Sequence, residues 1–337
     1  MDNSEVTKRI SEIMMFPLAA KSLNVLSELG IADHLLSHSL AIDELARRCE
    51  VDATILMNTL KVANVFGFFS IADNGLIGNN DSSLLLTSTN PDSMRHFCQL
   101  FGDEYYQAYQ GMLNTCQTSE SGFKHIYQQT LYQYLEQNPP RSLVYNLAMR
   151  DFSRPVGLAL SKTCADIFEQ AHSVLDIGGG SGVIASQLVK AFPHLSASVL
   201  DRADVCEQCT PYLDACDNID MIPGDFFQFI PSGYDVLVLK NVLHNWNNES
   251  CQRILKLIHA SLGEGKLLVI EPLVESEETS PRLVFNALFQ SVICEDGTYQ
   301  RSDADMRALL AQCGLSLVSC AKLPTGHTVL EAIKSNH

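Results

Sequence analysis

Carboxylates close three apolar segments of this chain, and a histidine follows a fourth. The segment Leu175-Asp176-Ile177-Gly178-Gly179-Gly180-Ser181-Gly182 joins the apolar run SVLDI to the helical pattern SGVIASQLVKAF. A glycine-rich turn from strand to helix brings backbone N–H groups and a helix N-terminus close to a ligand. A dinucleotide fingerprint would put glycine at 183, where Val183 stands. Asp176, two residues before the first glycine, suits a cationic or amine group rather than a pyrophosphate, because a carboxylate beside a phosphate is repelled. The next strand, SASVLD, ends in Asp201, where a carboxylate can accept from ribose hydroxyls. A third ends in Gly224-Asp225-Phe226: Asp225 suits an exocyclic adenine amine and Phe226 the face of the ring. Taken singly, Asp225 could cap a turn and Phe226 could be core. At three consecutive strand ends they predict a nucleoside crevice. S-adenosylmethionine, with an ammonium, a sulfonium and no phosphate, fits these residue types.

His244 follows the strand YDVLVLK, near the end where doubly wound folds hold their ligands. Methyl transfer from a sulfonium asks the protein chiefly to align and deprotonate the nucleophile. Imidazole, with an unperturbed pKa of ~6.5, is a natural base for an acidic hydroxyl. The plainer alternative is that His244 caps or packs against the helix that follows.

The elements that must carry these residues read in two halves. Up to about residue 170 the pattern is helical. Apolar residues from Leu18 to Leu36 keep helical spacing, and Gly30 ends one helix. Ile42 to Cys49 and Thr54 to Phe66 are two further helices, and FFSIADNGLIGNN is a hairpin turning at Asp73-Asn74-Gly75. Helix, turn, helix and hairpin make a winged-helix unit. From Ala171 strands and helices alternate (SVLDI, SASVLD, NIDMIPGD, YDVLVLK, KLLVIEP), and LSLVSCAKL with HTVLEAIK forms a final hairpin. Continuous apolar strands alternating with helices predict a parallel, Rossmann-like doubly wound α/β sheet. The expected organisation is a winged-helix dimerisation domain over 1–110, a helical connector over 111–170, to which the family resemblance given below adds a share in the substrate pocket, and the sheet domain over 171–337.

Composition removes several function classes. The 337 residues hold 23 Lys+Arg against 39 Asp+Glu, net -16, and both halves are acidic. That balance opposes an electrostatic grip on nucleic acid or on an anionic membrane. The second helix of the winged-helix unit carries one basic residue, Lys61, so the unit reads as a packing or dimerisation module. The 11 cysteines are odd in number and scattered, unlike a secreted disulfide framework. Cys206 and Cys209 form a C-x-x-C with only Cys216 nearby, too few for a zinc site, so no metal is expected. No apolar stretch is long enough to span a membrane, and no signal peptide is visible. A cytoplasmic protein is the expectation.

The segments VLDIGGGSG, VLDRADV, GDFF, LKNVLHNWNNESCQRIL and VIEPL together resemble the catalytic domain of class I S-adenosylmethionine-dependent small-molecule O-methyltransferases. This is the plant caffeate/flavonoid and bacterial polyketide-tailoring type, which includes acetylserotonin methyltransferases. The resemblance implies that Asp176, Gly178 and Gly180 hold the methionine part of the cofactor, Asp201 the ribose, Asp225 and Phe226 the adenine, and Lys240 its far side. It implies that Met149 touches substrate and Ser153 the cofactor carboxylate. It also implies a homodimer through the N-terminal domain. His244 would be the base, held by Glu271. In relatives a second acid flanks the histidine where this chain has Gln300, and aspartate follows it where this chain has Asn245. One carboxylate of a pair survives, which favours an acidic phenol or enol, or else a relative that methylates N or C or that uses the bound cofactor only as a positive charge in non-methylating chemistry. Phe152 and Glu295 replace a histidine and a polar neutral residue of plant relatives, so the acceptor is not expected to be a plant phenylpropanoid.

Overall fold

The computed structural model describes residues 3–213, 218–274 and 281–335. The chain divides into two compact units, residues 1–106 and 107–337. In the first, α1 (Asn3–Glu28) stops at Gly30, whose φ of 61° is left-handed and costs glycine little. α2 (Ile42–Cys49) and α3 (Ala53–Val65) follow, and Asp52 caps α3 by accepting from the Ile55 N–H at 2.9 Å. β1 (Leu40–Ala41), β2 (Ser70–Ile71) and β3 (Leu76–Gly78) form a small antiparallel sheet in the order β1-β3-β2. The helix pair and its hairpin match the winged-helix expectation; β1 was not anticipated, because two residues carry no readable period. Leu26, Leu45, Leu60, Phe69 and Ile77 fill the core.

In the second unit short helices between residues 112 and 137 precede α4 (Pro139–Thr163), which begins at a proline whose missing N–H costs nothing there. Its sheet holds β4 (Ser173–Ile177), β5 (Ser196–Asp201), β6 (Ile219–Pro223), β7 (Val236–Lys240), β8 (Lys266–Glu271), β9 (Leu315–Lys322) and β10 (Thr328–Lys334). The order is β6-β5-β4-β7-β8-β10-β9. β4 to β8 pair in parallel, and β10 runs antiparallel between β8 and β9. Val236 to Leu239 and Leu267 to Ile270 are wholly buried because helices cover both faces. α5 (Val183–Ala191) packs with α4 on one face; α7 (Asn248–Ser261) and α9 (Asp303–Gln312) pack on the other. α6 (Ala203–Cys209) follows β5, and α8 (Pro281–Ile293) precedes α9. The final hairpin adds its second strand, not its first, to the parallel sheet. Val329, Leu330 and Ala332 of β10 are buried, whereas Val318 of β9 is exposed, as an edge strand tolerates. The chain reverses across the sheet at β4, so the C-terminal ends of β4, β5, β7 and β8 border the crevice where such sheets bind ligands.

Candidate active site

The glycine loop is shaped by close approach. Gly178 and Gly180 have φ of 68° and 57°. The Gly180 N–H donates to Asp201 Oδ2 at 2.8 Å, and Asp201 Oδ1 accepts from the Arg202 N–H at 2.8 Å. Asp201 therefore ties the loop to the end of the neighbouring strand. A Cβ on Gly178 would meet Val242 at 3.1 Å and Phe226 at 3.4 Å, while one on Gly180 would meet only Asn146 Oδ1, at 3.9 Å. The backbone at Gly180 thus faces open space. Asp176 is buried at the end of β4, and its Oδ2 has no hydrogen-bond partner. Burial pushes its pKa up to about 7; Lys240 opposes the shift and Asp201 adds to it. Asp201 is also pushed up by burial, against the two N–H groups it accepts.

Lys240 ends β7. Its Nζ donates to Ser153 Oγ at 2.7 Å and lies 5.6 Å from the centre of the Phe152 ring. Burial pulls it down to about 8, with Glu271 and Asp176 pushing back. Ser153 Oγ in turn donates to the Met149 carbonyl one turn earlier on α4. After Lys240 the chain turns at Asn241, in the left-handed region at φ 55°, and a short 3-10 turn over Leu243–Asn245 presents His244. Glu271, at the end of β8 and 1% exposed, reaches His244 twice. Its Oε2 lies 2.9 Å from His244 Nδ1, and its Oε1 accepts the His244 N–H at 3.3 Å. The carboxylate lies on the Nδ1 side of the ring at ion-pair distance but outside hydrogen-bond geometry, so the hydrogen bond that ties the two residues is the His244 N–H on Oε1.

Other candidate residues have local duties. Asp225 is exposed, and its oxygens accept from the Phe227 N–H and from Gln228 Nε2, which shapes the turn. Phe226 stands edge-on to Trp246, 6.3 Å between centres. Asn245 Nδ2 donates to the Asn241 carbonyl and bridges the turn. Glu295 accepts from the Asn247 N–H and from Ser250 Oγ, so both its oxygens serve the start of α7. Gln300 Nε2 donates to the Pro272 carbonyl, and its Oε1 is buried with no partner. Cys206 and Cys209 are buried thiols that desolvation pushes up to about 11 and about 12. Cys216 lies outside the described residues, among which no metal-holding cluster of His, Cys, Asp or Glu occurs.

Arg301, which the sequence reading did not single out, positions the histidine. It is 3% exposed, and its guanidinium donates to the carbonyls of Leu243 at 2.9 Å and Trp246 at 2.8 Å. Those carbonyls flank His244, so one planar fork fixes the turn from both sides. Trp246 stacks on Tyr132, with centres 5.2 Å apart. No spacing rule marks Arg301, because its partners, the Leu243 and Trp246 carbonyls and Asn248 Oδ1, lie 53 to 58 positions away. A cleft of about 300 Å³, lined in part by Lys124, Thr130, Asn247, Cys294 and Glu295, lies beside the same turn.

A family model of the O-methyltransferase domain matches residues 109–316, more than half of the chain. The chain belongs to the O-methyltransferase family. The resemblance carried by the glycine loop and the His244 segment is thus the right one. This O-methyltransferase is 28% identical over 316 residues to the phenazine O-methyltransferase PhzM of Lysobacter antibioticus, covering 93% of this chain and 92% of that one. It is 26% identical to the 3-amino-4-hydroxybenzoate 4-O-methyltransferase of Streptomyces cremeus, over 94% of this chain and 87% of the relative. The solved structure of LaPhzM superposes with a TM-score of 0.93 at 26% identity, covering 98% of this chain and 99% of that one. Among the described residues no helix is long and apolar enough to cross a membrane.

Proposed function

We propose that this enzyme moves the methyl group of S-adenosylmethionine to a hydroxyl of a small aromatic or polyketide-like molecule, with His244 as general base and Glu271 as its orienting carboxylate. The observation that carries the reading is the 2.9 Å approach of Glu271 to His244 Nδ1 at the crevice edge of the sheet. When bound, the cofactor supplies an electrophilic methyl on a sulfonium. The residues present fit it. The orphaned, buried Asp176 Oδ2 asks for a cation such as the ammonium, and the space over Gly180 admits the methionine chain. Asp201 keeps lone pairs for ribose hydroxyls beyond the two N–H groups it accepts. Phe226 offers its ring to the adenine, with Asp225 at the rim. Lys240 and Ser153 meet the cofactor's carboxylate end. Met149, Phe152 and Asn245 line the acceptor side. His244 Nε2 takes the hydroxyl proton while the turn clamped by Arg301 keeps the oxygen aligned. The names of the bacterial relatives place a phenazine and an aminohydroxybenzoate among family acceptors, which supports an aromatic hydroxyl here.

The same reading makes the enzyme a cytoplasmic homodimer. Its cysteines are free thiols among the described residues. Ile10, Ile13, Met14 and Leu18 of α1 are each more than half exposed at helical spacing, an apolar strip suited to protein contact. Sedimentation at micromolar concentration tests it: a monomer refutes the dimer. For the chemistry, the protein is incubated with labelled S-adenosylmethionine and a panel of phenols, enols and amines. Label on a phenol or enol oxygen is expected; label on amines alone overturns the hydroxyl reading.

A further inference from the structure

Gln290 of α8 is 1% exposed, and neither its Nε2 nor its Oε1 has a hydrogen-bond partner. Buried polar atoms are almost always paired, so a primary amide left bare on both sides is a marked exception. One turn earlier on the same helix face, Asn286 Nδ2 is likewise buried without a partner. One turn later comes Cys294, whose Sγ lies 3.3 Å from Asn245 Oδ1, the residue next to His244. Burial and the charge of Glu271 push the Cys294 thiol up to about 12. Asn286 and Gln290 share one face of α8, and Cys294, just past its end with its N–H on the Gln290 carbonyl, continues that row toward the turn that carries the base.

We propose that Gln290 is a specificity-determining residue, and that it selects acceptors bearing a hydrogen-bond donor and acceptor side by side near the methylated hydroxyl: a carboxamide, a lactam or an equivalent edge. The inference rests on the methyl-transfer reading above and adds the acceptor class. An amide presents one donor and one acceptor in a plane, and only a ligand with the complementary pair satisfies both. A carboxylate satisfies Nε2 and sets an anion against Oε1. An apolar ring satisfies neither, and both atoms stay desolvated. A site built to hydrogen-bond a substituent rejects analogues that lack it far more strongly than an apolar wall rejects an added methyl group. Asn286 Nδ2 supplies a second donor for the same substituent.

The test compares the wild-type chain with Gln290→Leu in the presence of S-adenosylmethionine, with equimolar 2-hydroxybenzamide, 2-hydroxybenzoate and 2-methylphenol in competition. The wild type is expected to favour the benzamide by at least ~10-fold in kcat/KM over both competitors, and Gln290→Leu to lose that preference. Where none of the three turns over, calorimetry on the S-adenosylhomocysteine complex reads the same preference as affinity. Without any acceptor, Gln290→Leu is expected to raise the thermal midpoint by about 2–4 °C, because an unpaired amide has been replaced by an apolar group of similar size. A flat wild-type preference, a preference that survives the substitution, or a lowered midpoint overturns the proposal. A chain that binds no S-adenosylhomocysteine fails the methyl-transfer reading and takes this inference with it. One that binds it and shows no Gln290-dependent preference fails the inference alone.

Discussion

The cofactor side and the acceptor side of this crevice are built by different means. The cofactor side is mostly backbone: a glycine loop after β4, tied to the end of β5 by the Gly180 N–H on Asp201. The side on which we place the acceptor is mostly side chains drawn from distant segments: His244 after β7, Glu271 on β8, Arg301 before α9 and, on our proposal, Gln290 on α8. Lys240 joins them, since Asp176 on one side and Glu271 on the other both act on its charge. A backbone cradle tolerates few residue types, so damage there is nearly all-or-none. A side-chain assembly degrades in steps.

Substitutions can break this contrast, beginning with the largest effect. Gly180→Val is expected to abolish S-adenosylmethionine binding in calorimetry, because the residue sits at φ 57° and a branched side chain would fill the space it faces. Retained binding would mean that the loop does not approach the cofactor. On the acceptor side, His244→Ala is expected to lower kcat by roughly 10²–10⁴ while cofactor affinity stays within about twofold. Wild-type turnover in that variant removes His244 as the base. Arg301→Met deletes the clamp without touching either ligand. Chemical denaturation should show a loss of about 2–3 kcal/mol, and kcat should fall ~10-fold or more with cofactor affinity kept. A loss of stability with kcat unchanged would make the clamp structural only.

The smallest effect is one of pH, and it returns to the cofactor side. Asp176 has its pKa raised from 3.8 to about 7 by burial. On the proposed reading it pairs with the cofactor's ammonium only when ionised, so cofactor affinity is expected to rise as pH climbs through about 7, roughly tenfold between pH 6 and pH 8. The stability linkage has the opposite sense. A carboxyl whose folded pKa lies above its unfolded value favours the fold at acid pH, and that contribution is lost as pH rises from about 4 to about 7. Asp176→Asn should therefore flatten the affinity profile and make the ligand-free protein more stable at pH 8 than the wild type, with the advantage shrinking by pH 5. An affinity independent of pH in the wild type would place the ammonium elsewhere.

The contrast also explains what could be read in advance. Asp176, Gly178, Gly180 and Asp201 lie in short contiguous motifs at strand ends, and adjacent parallel strands necessarily bring those ends together. Asp225 had an equally good motif, yet its oxygens serve its own turn, since an exposed Asp two residues before a free N–H bonds locally first. Glu295 went the same way, into the start of α7.

By itself the sequence determined the alternation of strands and helices, the glycine loop and the family, because each depends on neighbours a few residues apart. Period, glycine placement and capping are local properties, and local free energies of a few tenths to ~1 kcal/mol per residue add up along a segment. Only the tertiary structure decided that β10 slips between β8 and β9, that Arg301 grips the two carbonyls around His244, and that Gln290 is buried with nothing to bond. Those outcomes depend on which faces pack together over tens to hundreds of residues. No pattern in the chain records an amide's missing partner; that is known only once every neighbouring donor and acceptor has been placed.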